Sequence, residues 1–220
     1  MGATIMLDSS EMLDVLRRAG SGDQDAVAAV FALHHDRLEQ MIRLRMDRRL
    51  QGRIDPADVL QETFMEAVRR VGEFAREPTT SVYLWLRFLT CQKLVDLTRR
   101  HLGSKMRDAG QEISIHRGSL PQASSVSLAA QLLGHFTSPS HAVVRAETQL
   151  RVHEALNSMD PIDREVLALR HFELLSNGEV AQVLGLSKSA ASNRYVRALK
   201  RMKEILSAVP APVIRRPGPK

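Results

Sequence analysis

The sequence is poor in the residues that build several protein classes. It holds one cysteine, Cys91, so no intrachain disulfide framework is possible, and that usage suits a reducing cytoplasm. Aromatic residues make up only 4% of the 220 residues, and Leu, Ala, Val and Met dominate the apolar set, a composition that favours helix over sheet. No apolar run approaches the roughly 20 residues needed to cross a membrane. Met1 to Ser10 lack a basic stretch followed by an apolar core, so no secretory signal is expected. Catalytic punctuation is missing too: there is no glycine-rich phosphate loop and no nucleophile elbow. The eight histidines are scattered. His35 and Glu39 share a helix face, but two potential ligands make no metal site. Neither catalytic activity, nor a metal, nor a cofactor is expected.

What is present is positive charge on a helical frame. The 31 Lys and Arg against 25 Asp and Glu give a net charge of +6, which points to an acidic partner, nucleic acid first. A hydrophobic fraction of 44% permits packed cores. The expectation is an intracellular, soluble, all-α protein.

Helical patterning divides the chain. Ser9 to Arg18 reads as a short helix stopped by Ala19-Gly20-Ser21-Gly22, and Asp23 caps a long one running to about Leu50. Asp55-Pro56-Ala57-Asp58 is a strong helix start, followed by the apolar face Leu60, Phe64, Ala67, Val68 and Val71. Gly72 to Thr80 reads as a loop, and a further helix spans about Val82 to His101. Residues 9–102 form the expected first domain. From Gly103 to Ser140, Gly, Ser, Gln and Pro are frequent and periodicity weakens, so 103–140 reads as a flexible linker, with one or two helical turns at Leu128 to Phe136. The second domain is expected over 141–208, where Asp160-Pro161-Ile162-Asp163 repeats the cap chemistry of Asp55, and 209–220 as a disordered tail.

The most informative stretch is Leu174 to Lys203. Ser176 followed by Glu179 is a capping box, Gly185 supplies a sharp turn, and Ser187 caps a second helix. On that helix Ala191, Tyr195, Ala198 and Met202 form an inward stripe, leaving Lys188, Arg194, Arg197, Lys200, Arg201 and Lys203 outward. This is a helix-turn-helix pattern whose second helix can enter a DNA major groove. A solvated basic helix in an all-helical core is the alternative.

Two further surfaces stand out. Asp58, Gln61, Glu62, Met65 and Arg69 lie three or four apart opposite the apolar stripe, as a protein-docking face or plain solvated surface. Arg87, Lys93, Arg99, Arg100, Lys105 and Arg107 follow Tyr83 and Trp85, a pairing of cations and aromatics suited to single-stranded nucleic acid. Trp85 and Phe88 at helical spacing also suit a core. Tyr83, at the loop edge, is the better candidate for contact.

Three segments in order resemble the sigma-70 RNA polymerase sigma factors, specifically the two-domain extracytoplasmic-function group. Asp55-Pro56-Ala57-Asp58-Val59-Leu60-Gln61-Glu62-Thr63-Phe64 resembles the family's core-polymerase docking helix. Trp85 to Thr90 and Asp96 to Arg100 are similar to its −10 recognition and melting segment. Met159 to Arg201 resembles its −35-binding domain. The resemblance implies two small helical domains, a region 2-like bundle and a region 4-like helix-turn-helix domain. It places Asp55, Asp58, Gln61, Glu62 and Met65 against polymerase. Tyr83, Arg87, Lys93, Arg99 and Arg100 would meet −10 DNA, and the loop from Glu73 to Tyr83 would help pocket an unstacked base. Ser187, Lys188, Ser189, Ser192 and Asn193 would face −35 bases, with Arg194, Arg197 and Arg201 on phosphates. The implied partners are core RNA polymerase (beta-prime clamp and beta flap), promoter DNA and an anti-sigma factor. Two departures from the family pattern are the long linker and Gly178, where a helix former is usual and which predicts a late start to the first helix of the motif. A free-standing helix-turn-helix regulator and a nucleic-acid-processing enzyme are the rival readings.

Overall fold

The computed structural model of the chain describes residues 9–50, 52–102, 122–134 and 142–208, and among these it contains nine α-helices and no strand. The all-α expectation is met. Residues 1–122 with 183–185, and residues 123–182 with 186–220, group as two compact units. None of the described helices is long and apolar enough to cross a membrane. The residues read as a disordered tail, 209–220, lie outside the described residues, as does most of the stretch read as linker.

In the first unit, α1 (Ser9–Gly20), α2 (Gln24–Arg45), α3 (Pro56–Arg76) and α4 (Val82–Leu102) pack around α2, which touches the other three. Accordingly α2 buries Val27, Val30, Phe31, Leu38, Met41, Ile42 and Leu44, more than one face of a helix can hold. Asp23 starts α2 by accepting the Ala26 N–H at 3.0 Å and the Arg18 guanidinium at 2.7 Å. The helix ends at Arg45, short of Leu50, and a 3-10 turn (Arg48–Leu50) follows. At the head of α3 the Asp55 carboxylate accepts from Ala57 N–H at 2.9 Å, while Asp58 reaches back to the Asp55 N–H at 3.2 Å.

Helix α3 continues through Gly72, where the sequence suggested a loop. Glycine serves helix packing here. A Cβ on Gly20 would lie 2.8 Å from the Ala75 Cβ, and one on Gly72 would lie 3.4 Å from the Gly20 carbonyl oxygen. The missing side chains let α1 and α3 approach closely. Beyond Gly72 the helix is held by Phe74, whose ring stacks on Trp85 of α4 with centroids 4.5 Å apart. The loop therefore shrinks to 77–81, and Ser81 Oγ caps α4 by accepting from Leu84 N–H at 3.3 Å.

The second unit contains α5 (Ser125–Gly134), α6 (Ala142–Asn157), α7 (Pro161–Leu167), α8 (Asn177–Leu184) and α9 (Lys188–Ala208). Helix α5 lies within the stretch read as linker. Ser124 Oγ accepts the Ser127 N–H at 3.0 Å, Glu165 takes the Ala123 N–H at 3.1 Å, and Leu128 and Ala129 are buried where α5 packs on α6. Serine-rich composition suggested a linker because it shows neither the cap nor the apolar partner.

Asp160 caps α7 through Ile162 N–H at 2.8 Å, with Pro161 in the first turn. The helix then widens into a π-helical turn, Ala168–Phe172, which leaves Leu169 and Phe172 buried. Leu175 closes the turn, its N–H donating to Leu169 O at 2.9 Å and its carbonyl accepting from Arg170 at 2.7 Å. Between Phe172 and α8 stands Leu174, at φ 56° and 66% exposed. A branched side chain in the left-handed region costs about 1 kcal/mol, and this one recovers little by burial. Leu174→Gly is therefore expected to stabilise the protein by about 1 kcal/mol, seen as a higher urea midpoint, whereas Leu174→Ala keeps the strain and should not.

Candidate nucleic-acid interface

The helix-turn-helix is built by short local bonds. Ser176 N–H donates to Glu179 at 2.9 Å and Glu179 N–H returns to Ser176 Oγ at 3.3 Å, so α8 begins promptly and Gly178 does not delay it. A Cβ at Gly178 would fit, meeting Lys188 Cε at 3.6 Å in ordinary van der Waals contact. Gly185, at φ +62°, turns the chain, and Leu186 N–H closes on Ala181 O at 2.8 Å. Ser187 Oγ caps α9 by accepting Ala190 N–H at 3.1 Å. Asn177 ties the two helices together, its side-chain amide donating to Lys188 O at 2.8 Å.

Helix α9 has three distinct sides. Ala191 and Ala198 are solvent-free, with Tyr195 and Met202 half-buried beside them, as the inward stripe requires. Tyr195 OH meets His171 Nε2 at 3.1 Å. One flank carries the arginines. Asp163, only 6% exposed at its side chain, accepts from Arg197 through Nε at 2.5 Å and Nη2 at 2.8 Å, and from Arg194 Nη1 at 2.8 Å. Those bonds, Arg197 first, hold the Asp163 carboxyl below its usual value despite burial. Arg201 reaches Glu204 at 3.0 Å and Ser158 Oγ at 3.4 Å. The outward side exposes Ser187, Lys188, Ser189, Ser192, Asn193 and Lys200. Short hydroxyl and amide side chains there can reach base edges, and the lysines can meet phosphates.

In the first unit, Asp58, Gln61 and Met65 are exposed on α3, Met65 at 53%, and Glu62 is half-buried. Asp55 and Asp58 already serve the helix cap. Two acids of α3 bind cations of α4: Glu66 takes Lys93 at 3.1 Å and Glu62 takes Arg100 at 3.4 Å. Lys93, first by its hydrogen bond, holds the Glu66 carboxyl below its usual value. With Phe74 on Trp85, these pairs show that α3 and α4 run antiparallel. Among the described residues, His35, Asp36 and Glu39 offer donor atoms within 4.8 Å of one another, but they lie on open surface and Glu39 is bound by Arg43 at 2.5 Å.

Residues 149–202 match the model of Sigma-70, region 4, a span that contains α7, α8 and most of α9. Over 199 residues the chain is 23% identical to the ECF RNA polymerase sigma factor BldN of Streptomyces coelicolor, covering 90% of this chain and 67% of BldN. The RNA polymerase sigma factor CarQ of Myxococcus xanthus is 24% identical over 200 residues, covering 91% of this chain and 100% of CarQ. The solved structure of CnrH in complex with the cytosolic domain of CnrY matches at a TM-score of 0.53 and 25% identity, over 89% of this chain and 97% of CnrH. Over about nine-tenths of its length the chain is thus similar to RNA polymerase sigma factors of the extracytoplasmic-function group, and its residues 149–202 match region 4 of the sigma-70 family.

The structure corrects two contacts expected from the resemblance. Tyr83 is 3% exposed, its ring covered by the Arg37 guanidinium at 3.7 Å and flanked by His34 at 5.6 Å. Arg87 is 2% exposed. Neither side chain can reach DNA from that position; a Tyr at a loop edge and an Arg in a basic run gave no sign of burial. Lys93 is 18% exposed and committed to Glu66, whereas Arg99 and Arg100 stand open. Trp85 belongs to the core with Ala19, Ala26, Val27 and Val71. Sequence reasoning missed Asp163, whose only signal was a second acid in the Asp160 cap motif. Because its carboxyl is depressed in the folded state, it stabilises the fold above the unfolded value of about 4, and that contribution fades as pH falls through the folded value. Asp163→Asn is expected to lose about 2 kcal/mol at pH 7 and to flatten the acid limb of stability below pH 4, measured by urea unfolding across pH.

Proposed function

We propose that this sigma factor binds core RNA polymerase through the exposed face of α3 and places the polymerase on promoters by two DNA contacts. Arg99 and Arg100 of α4 meet the −10 region, and the outward side of α9 enters the −35 major groove. The observation that carries the reading is the division of α9. Its arginine flank is bonded to Asp163, so the exposed side is left to Lys188, Ser189, Ser192, Asn193 and Lys200, short polar readers between lysines. Arg194, 25% exposed, becomes a positioning residue that aims this side, while Arg197 and Arg201, 60% and 50% exposed at their side chains, remain placed for the phosphate contacts expected of them. The factor acts without chemistry of its own, residues 9–102 and 123–208 supply the two grips with the chain between them as the join, and it works in the cytoplasm. An anti-sigma factor is the further partner the family implies, and the complex of CnrH with the cytosolic domain of CnrY supports a protein partner for this one.

Docking is tested on Gln61 and Met65, because replacing Asp58 would also break the α3 cap. Gln61→Lys with Met65→Lys is expected to abolish retention of core polymerase in a pull-down while leaving the circular dichroism and urea midpoint unchanged. Retention equal to the parent protein would exclude this face. For the −35 grip, in vitro transcription from a promoter library with core polymerase separates the roles. Lys188→Ala should weaken all −35 elements by similar factors, whereas Asn193→Ala should change the preferred base at one position by about 1–3 kcal/mol of discrimination. Tight sequence-specific binding by the protein alone, without polymerase, would favour a free-standing regulator instead.

A further inference from the structure

The outward side of α9 carries two apolar side chains that its polar neighbours do not explain, Leu199, 38% exposed at its edge, and Val196 at its centre. Val196 is 49% exposed. At about 100° per residue it falls in the middle of the stripe made by Ser189, Ser192, Asn193 and Lys200, opposite the solvent-free Ala191 and Ala198. Scattered apolar residues are ordinary on a protein surface, but the placement here is particular. Arg194 and Arg197, on either side of it in sequence, are drawn to Asp163, and of the same-face positions one turn away only Lys200 is a long cation. Its nearest neighbours on the stripe, Ser192 and Asn193, are short, so the helix can approach a groove closely at this point. Ser189 to Val196 spans about 10.5 Å along the axis at the α-helical rise, within the roughly 12 Å width of the major groove.

The major groove offers one apolar group, the C5-methyl of thymine, and small apolar side chains are its natural partners. We propose that Val196 reads a thymine methyl group in the −35 duplex, one helical turn beyond the base contacts of Ser192 and Asn193. The inference rests on the proposed placement of α9 in the −35 groove. It adds to that placement an apolar specificity contact that hydrogen-bonding side chains cannot supply. Serine and asparagine at the other stripe positions select by hydrogen bonds to base edges; Val196 selects by the presence or absence of a single methyl.

The test uses the full chain with core polymerase and a −35 element selected from a randomised library. Templates are then made in which each −35 thymine, on either strand, is replaced singly by deoxyuridine, which differs only in lacking the methyl. With the parent protein, one replacement is expected to lower initiation about threefold to fivefold, the worth of burying one methyl group. Val196→Ala should lose that factor on the thymine template and be indifferent to the same replacement, with an unchanged urea midpoint. If no deoxyuridine replacement affects the parent protein, or one affects parent and Val196→Ala equally, the methyl contact is overturned while the −35 placement stands. If Val196→Ala instead weakens every template alike, Val196 meets a protein surface and the proposal fails. A library that yields no −35 preference, and none altered by Asn193→Ala, removes the placement itself and the contact with it.

Discussion

The bond that the second unit depends on is the one between Asp163 and two arginines of α9. A carboxylate with 6% of its side chain exposed is unfavourable unless its oxygens are occupied, and Arg194 and Arg197 occupy both. The apolar contact beneath α9 is made by Ala191 and Ala198, side chains too small to fix how the helix is rotated about its axis. Shifting α9 by one residue would turn it about 100° and carry both guanidinium groups off Asp163. The alanines set how closely α9 approaches; the ion pair sets which of its sides faces out. Which residues are free to read a groove is thus decided on the opposite flank from the one that reads.

The same logic runs through the charge of the whole chain. A surplus of +6 suggests broad cationic patches, yet much of the arginine is consumed locally. Arg18 binds Asp23, Arg43 binds Glu39, Arg49 binds Asp47, and Arg194 with Arg197 share Asp163. Among the α4 cations, exposure separates two kinds. Lys93 and Glu66 are 18% and 20% exposed and hold α4 against α3, while Arg100 is 59% exposed and only 3.4 Å from Glu62. An exposed pair of that kind is worth at most about 1 kcal/mol, so a phosphate can replace the carboxylate with little loss. Arg100 is exchangeable and Lys93 is not.

Legibility in the sequence follows the range of the interaction. Caps at Asp23, Asp55, Asp160, Ser176 and Ser187 are readable because donor and acceptor lie within three residues of each other. Partner choice over longer range is not. Asp55-Pro56-Ala57-Asp58 and Asp160-Pro161-Ile162-Asp163 have the same spelling, yet Asp58 turns back to its own cap while Asp163 crosses to residues more than thirty positions away. Gly72 looked like a helix stop because nothing in its neighbours reveals Gly20. Tyr83 and Arg87 looked like surface because burial of a polar side chain depends on what the rest of the fold lays over it, here Arg37 in the case of Tyr83. Ser189, Ser192 and Asn193 were legible as surface because they stand on a side of α9 that is exposed.

The pairing of its cations also limits how strongly α9 could hold DNA by itself. Each phosphate neutralised contributes a slope of about −0.9 to the salt dependence of binding. The unpaired lysines exposed on α9 are Lys188, Lys200 and Lys203, and Arg197 and Arg201 are exposed but paired with Asp163 and Glu204. So few contacts give a shallow salt dependence and weak binding at physiological ionic strength. A free-standing regulator would need more. A module carried by polymerase does not, because tethering supplies the local concentration that bare affinity lacks. On the proposed reading, the clamp that aims α9 would also limit how tightly it binds a promoter alone, and its specificity would emerge when a second grip is engaged.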